Sequence, residues 1–169
     1  TATTFSGALS GTASLASGLT GTPNINVGVA TGTSFSGELH TTSLLKEEVN
    51  VTAGKLSDNT NIDLANGMIH LFTTTETTTS TPNIRYDASN SLNSKMSIGE
   101  SIAVSVITTA AAAGYSAELT IDGSAVTEEW LGGSAPTTGG SGGYDNYVYN
   151  IIKTADATFV VLANLVNFA

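Results

Sequence analysis

Only 11% of the 169 residues are charged, against about a quarter in an average globular protein, and 14 acidic against 5 basic side chains leave a formal net charge of -9. That balance repels phosphate backbones and anionic lipid, so the sequence predicts no nucleic-acid partner and no membrane insertion. The absence of cysteine excludes a disulfide framework, a thiol nucleophile and thiolate-bound zinc or iron–sulfur clusters, and the longest apolar run, Phe159 to Ala163, is far short of the ~20 residues that cross a bilayer.

Along the chain, residues 1–42 hold a single charged side chain, Glu38, and no helical period. Within them Thr3-Thr4-Phe5-Ser6-Gly7-Ala8-Leu9 returns as Thr33-Ser34-Phe35-Ser36-Gly37-Glu38-Leu39. A repeat of this size points to a fibrous unit, with short strands such as Ile25 to Val29 separated by Gly turns. Composition alone also fits a Gly/Ser/Thr linker. A linker has no use for Phe5 and Phe35 in matching frames, whereas three chains wound about an axis would turn such residues inward at each repeat. So few large apolar groups cannot offset the ordering entropy of a lone chain, and self-association as a homotrimer is expected.

The junction Thr42 to Val49 carries a Ser or Thr cap followed by acids, which fits a short helix or the entry to a strand. Beyond it, β signals recur at the spacing of a sandwich or barrel. Met68 to Thr73 is apolar around His70, Asn83 to Asp87 is short, and Ser101 to Thr108 alternates Ile102, Val104 and Val106 with smaller residues. Tyr115, Ala117, Leu119 and Ile121 share one side of an expected strand that turns at Asp122-Gly123 into Ala125 to Leu131. Tyr147, Tyr149 and Ile151 alternate next, and a last strand runs from Thr158 to about Phe168. Both faces of that strand are apolar, so it needs cover from the sheet beneath and from a neighbouring subunit. The sequence thus predicts an all-β chain, a fibrous repeat segment over 1–44 followed by a β-sandwich (jelly-roll-like) module over 45–169.

No constellation specifies catalysis. Gly139-Gly140-Ser141-Gly142-Gly143 has the letters of a nucleophile elbow, but both histidines, His40 and His70, lie upstream of it and no strand-turn-helix surrounds it. A loop of small residues explains the match. His70, between Ile69 and Leu71, reads as a half-buried strand residue. Asp58 to Asp63 departs from a calcium hand, with Asp63 where a glycine should turn the loop, and reads as an Asx-rich turn. Glu128 and Glu129 are adjacent and on a strand point to opposite faces, which excludes a glycosidase dyad. No metal, cofactor or catalytic residue is expected. One surface candidate remains: Trp130, the loop Leu131 to Gly143, then Tyr144, Tyr147 and Tyr149. Aromatic rings beside a glycine-rich loop suit stacking on neutral sugars. The alternative is that Trp130 belongs to the core and the loop is only a tip.

The segment TFSGALSGTASLASGLTGTPNINVGVATGTSFSG resembles the Gly/Thr/Ser-rich repeats of tail-fibre and other virion structural proteins of tailed phages that infect marine cyanobacteria. The blocks DGSAVTEEW and IIKTADATF look like a C-terminal module of such proteins. The resemblance implies a virion component on the particle exterior, a trimeric tail fibre with other virion proteins as partners and a distal module that touches the host surface, where the aromatic residues above would make the contact with glycan. It implies no catalytic residue, so the chain is expected not to be an enzyme. A capsid or tail decoration protein and a bacterial surface adhesin are the rival expectations. The start inside the repeat, without an initiator Met, leads one to expect a fragment or a processed product.

Overall fold

The computed structural model describes residues 42–168. The repeat expected over 1–44 and His40 lie outside the described residues, save for positions 42–44. The compact unit that begins at Leu45 has no regular structure before Val49. Of the two alternatives at the junction, the strand entry is therefore the one observed.

The strands are β1 (Val49–Thr52), β2 (Asn61–Asp63), β3 (Ile69–Glu76), β4 (Asn83–Arg85), β5 (Ser101–Ala110), β6 (Thr120–Ile121), β7 (Ser124–Ala125), β8 (Glu128–Trp130), β9 (Tyr144–Ala155) and β10 (Thr158–Phe168), with a 3-10 turn (Leu64–Asn66) before β3 and one α-helical turn, α1 (Leu92–Lys95), before β5. They form a first sheet in the order β1-β3-β5-β9-β10-β8 and a second in the order β2-β4-β6-β7. The described residues are thus mostly β, with almost no helix.

Through β6 the chain alternates between the sheets. β1, β3 and β5 pair in parallel in the first sheet, while β2, β4 and β6 pair in parallel in the second. Parallel neighbours need a long crossover, and here each crossover is a strand of the opposite sheet. The winding stacks like positions into ladders. Asn61, Asn83 and Thr120 are in register, as are Ile62, Ile84 and Ile121. The polar ladder is hydrogen-bonded, from Asn83 Nδ2 to Asn61 Oδ1 (2.9 Å) and from Thr120 Oγ1 to Asn83 Oδ1 (2.9 Å). Beside it Arg85 pairs with Asp63. A jelly roll is an antiparallel arrangement; these parallel ladders, and the parallel pairing of β8 with β10, correct that part of the expectation.

One buried cluster draws on both sheets: Phe72, Val104, Val106, Tyr147, Tyr149, Ile151 and Val161 from the first, and the Ile62–Ile84–Ile121 ladder from the second. Each such aliphatic side chain gains about 1.5–3 kcal/mol on burial. The alternation in β5 and β9 follows from one inward face, with Val104 and Val106, and Tyr147, Tyr149 and Ile151, all buried. Leu92 and Met96 bring α1 onto the same cluster. Three polar groups hold that turn: Ser91 Oγ accepts from Ser94 N, Asp122 accepts from Leu92 N (2.7 Å) and Asn93 N (2.9 Å), and Lys153 Nζ donates to the carbonyls of Asn93 and Met96. Acid at the start and cation at the end complement the exposed peptide groups.

The Asp122-Gly123 turn is present, with both residues at positive φ, the geometry a two-residue hairpin requires. Its strands are much shorter than the alternation predicts. Only Thr120–Ile121 and Ser124–Ala125 pair, and the chain then leaves for the first sheet, where β8 follows. Before the turn, Ser116 is buried and Ala117 is not, the reverse of the expected face. The cause is polar. Ser116 N donates to Tyr147 Oη (3.1 Å) and its hydroxyl pairs with that of Ser80 (2.7 Å), so the serine is satisfied inside.

Candidate functional site

The glycine-rich loop 131–143 joins β8 to β9, and it is anchored at its centre. Gly139 N donates to Ala112 O, and Gly140 N donates to a carboxylate oxygen of Asp145 (2.9 Å). The second Asp145 oxygen accepts from Asn167 Nδ2 (2.7 Å), which ties the loop to the end of β10. A Cβ on Gly139 would run into the carbonyl oxygens of Ala111 and Gly114. Close backbone approach, not a nucleophile elbow, is what the glycines of the G-x-S-x-G letters supply. Ser141 is exposed, and His70 stands five residues from Thr75 along β3, about 16 Å at ~3.3 Å per residue.

The anchored loop has an open cleft on either side. The larger, about 600 Å³, is lined by Thr75, Thr109, Ala110 to Ala112, Ser141 to Gly143 and Tyr144. The smaller, about 270 Å³, is lined by Trp130, Leu131, Ser134, Pro136 to Thr138 and the β10 residues Asn164, Leu165 and Asn167. Neither lining includes a charged side chain or a histidine. Each has one aromatic residue among hydroxyls, amides and backbone, which can stack on an apolar face and exchange hydrogen bonds with neutral oxygens.

The four aromatic residues named from the sequence fall in different places. Tyr144 is 49% exposed and lines the larger cleft. Trp130 is half-buried, edge-on to Tyr149 at 6.3 Å, and lines the smaller cleft. Tyr147 and Tyr149 are each 1% exposed and stacked on one another inside the core, which removes them from any surface contact. Their inward position follows from the same alternation that buries Ile151. Burial pushes the Tyr147 phenol up to about 12 and that of Tyr149 well above its ordinary value. The Tyr149 hydroxyl and the Trp130 indole nitrogen are both sealed without a hydrogen-bond partner.

The remaining titratable groups serve the fold. His70 is buried, not half-buried: Asn50 Nδ2 donates to its Nδ1 (3.2 Å), which leaves Nε2 to donate to Gly67 O (3.0 Å). Burial lowers its pKa, partly opposed by the Gly67 carbonyl and the Asp63 charge. Glu76 is buried at the end of β3 and accepts from Ser57 N, Ser57 Oγ, Thr77 N, Thr78 N and Thr78 Oγ1. Burial alone would raise its pKa, and the donors of Ser57, Thr78 and Thr77 outweigh that and hold it below its ordinary value. The Asx-rich turn expected over Asp58 to Asp63 is a strand in its second half, β2, because Asn61 to Asp63 pair with β4, and Asp63 is taken by Arg85. Glu128 accepts from Leu119 N, while Glu129 is exposed. Among the described residues no three His, Cys, Asp or Glu side chains are grouped to hold a metal ion.

Asp145 and the two-cleft arrangement went unrecognised from the sequence. A lone acid directly after Gly142-Gly143-Tyr144, at the first inward position of an alternating strand, is the available signal for Asp145. No family model, curated protein or solved structure matches the chain.

Proposed function

We propose that the protein is a non-catalytic structural component of a phage virion, part of a homotrimeric tail fibre on the particle exterior, and that its loop 131–143 meets a neutral glycan on the host surface. The virion part rests on the resemblance of the repeat and of the DGSAVTEEW and IIKTADATF blocks. We read the two sheets that share one core as a sandwich-like module that carries the loop rigidly.

The observation that carries the contact is the pair of uncharged clefts beside an anchored loop, one with Tyr144 and one with Trp130. Sugars present apolar ring faces and neutral hydroxyls, which one aromatic face and several hydroxyls and amides can match. A single shallow cleft binds weakly, and three copies on one fibre raise the effective affinity by multivalency. The test is a neutral-glycan array probed with the full chain and with Tyr144→Ala combined with Thr137→Ala, two exposed positions. Binding lost in the variant supports the assignment, and binding unchanged in it sinks the site. Labelling of intact virions with an antibody to the chain reads its position, and absence from the tail removes the fibre reading.

A further inference from the structure

The larger cleft does not end at Tyr144. In the register of the first sheet, Thr109 of β5, Tyr144 of β9 and Phe168 of β10 stand in one row, and Thr75 of β3 continues it beside Thr109, one position before the Glu76–Ala110 pair. These residues alternate with the buried Glu76, Ala110 and Asp145, so the row lies on the sheet face away from the shared core. Three strand spacings of ~4.8 Å make it about 14 Å long. Phe168 is 54% exposed, next to Tyr144. Cross-strand neighbours hold their Cβ atoms about 5 Å apart, close to the length of one sugar ring in a chain.

Beyond Phe168 the row meets a bare edge. β8 ends at Trp130, opposite Ala163, so among the described residues no strand flanks Asn164 to Phe168 on that side. Asn164 and Asn167 there line the smaller cleft. Phe168 therefore stands between the two clefts, paired across the sheet with a residue of one and adjacent in the chain to a residue of the other.

We propose that the two clefts are the ends of one extended site joined over Phe168, and that its ligand is a linear neutral glycan of several sugar units, not a single terminal sugar. This rests on the glycan contact proposed for the loop and adds Phe168 to it as a second ring on which a sugar face lies. Charge and hydrogen bonding favour that ligand over others. No charged side chain stands in the row or in the next one, Ile107, Asn146 and Val166, in a chain of net charge -9, so an anionic ligand is repelled and finds no cation there. An apolar ligand fits poorly as well. Thr109 Oγ1, beside Tyr144, and Asn146 Oδ1, two residues on, are buried without a hydrogen-bond partner. Both side chains are only partly buried, so a turn about a side-chain bond brings either atom to a ligand hydroxyl, which both donates and accepts. An apolar chain laid on the same row would leave both atoms unpaired.

The full chain is titrated in solution with linear neutral oligosaccharides, the gluco-, manno- and galacto-series, each from the monosaccharide to the hexasaccharide. Soluble ligands read each site singly, free of the multivalency that acts on an array. Affinity is expected to rise with chain length in the series that binds. Phe168→Ala should weaken the hexasaccharide by about tenfold, the loss of one aromatic contact, and Phe168→Tyr should restore it. Leu162→Ala, exposed on the same face of β10 but about 20 Å along the strand, should leave binding as it is. Circular dichroism checks that each variant is folded. Affinity that is flat from the monosaccharide upward, or a rise that Phe168→Ala leaves intact, overturns the extended site and leaves the loop contact standing. A chain that binds neither these series nor any neutral glycan on the array overturns both.

Discussion

Glu76 offers the sharpest test of how the end of β3 and the turn at Ser57 are held together. In Glu76→Gln the two acceptor oxygens become one, and the amide NH2 must face a donor. With the NH2 at the Oε2 position, Ser57 N is left unpaired, at a cost of about 1–3 kcal/mol for a buried group. The other bonds, from Ser57 Oγ, Thr77 N, Thr78 N and Thr78 Oγ1, lose charge assistance and weaken to about half. A loss of about 2–4 kcal/mol at pH 7 is expected, read by urea unfolding with the single tryptophan, Trp130, as the probe. The pH dependence has a fixed sign. The folded pKa of Glu76 lies below its ordinary 4.5, so its contribution is fully present above that value and is lost as pH falls through the folded pKa. The gap between wild type and variant should therefore narrow as pH is lowered below about 4.5. A variant within about 0.5 kcal/mol of wild type at pH 7, or a gap that does not change with pH, would refute the account.

The two core tyrosines should respond in opposite directions. Tyr149→Phe removes a sealed hydroxyl with no partner and should stabilise by up to about 1 kcal/mol, whereas Tyr147→Phe strands Ser116 N and should cost about 1–2 kcal/mol; equal effects in urea unfolding would contradict the assignment. His70 should titrate below 6.5, with the proton on Nε2 when neutral, as read by NMR of its ring nitrogens. Since that folded value is depressed, the stabilisation from the neutral ring is complete above 6.5 and lost as pH falls through the folded pKa. A midpoint above 6.5 would mean that the ring is not desolvated as described.

The long strands were legible because alternation survives wherever one face is buried. Val104 and Val106 in β5 and Tyr147, Tyr149 and Ile151 in β9 follow from period two, whereas β10 shows as a run apolar on both faces. The second sheet was not legible in the same way, since strands of two or three residues are too short to show a period. Its signal is a recurrence: Asn61-Ile62, Asn83-Ile84 and Thr120-Ile121 are the three rungs of one ladder. The string Thr81-Pro82-Asn83-Ile84 also occurs at positions 22–25, outside the described residues. Ser116 was misplaced because pattern reading assigns serine to solvent, and only the fold supplies Tyr147 and Ser80 as its partners. For the candidate site, composition pointed to the loop and to Tyr144 and Trp130, but a count of aromatic residues could not separate Tyr144, outside, from Tyr147 and Tyr149, inside. Strand parity does so once the register of β9 is known.

The winding of the first six strands sets an order on the ribosome. β5 finds β3 behind it in the chain, but its other neighbour, β9, begins only at Tyr144, so the middle of the first sheet waits until β9 has been made. The nearest local pairing of any length is the β9–β10 hairpin, closed at Asp156-Ala157, and local contacts form fastest. Nascent chains that stop before that hairpin expose the free edge of β5 and the inward side of a core that lacks Tyr147, Tyr149, Ile151 and Val161. Such an edge recruits other strands, so termination before β9 yields aggregation-prone fragments instead of a smaller folded domain, and closure of the β9–β10 hairpin is the step that completes the first sheet.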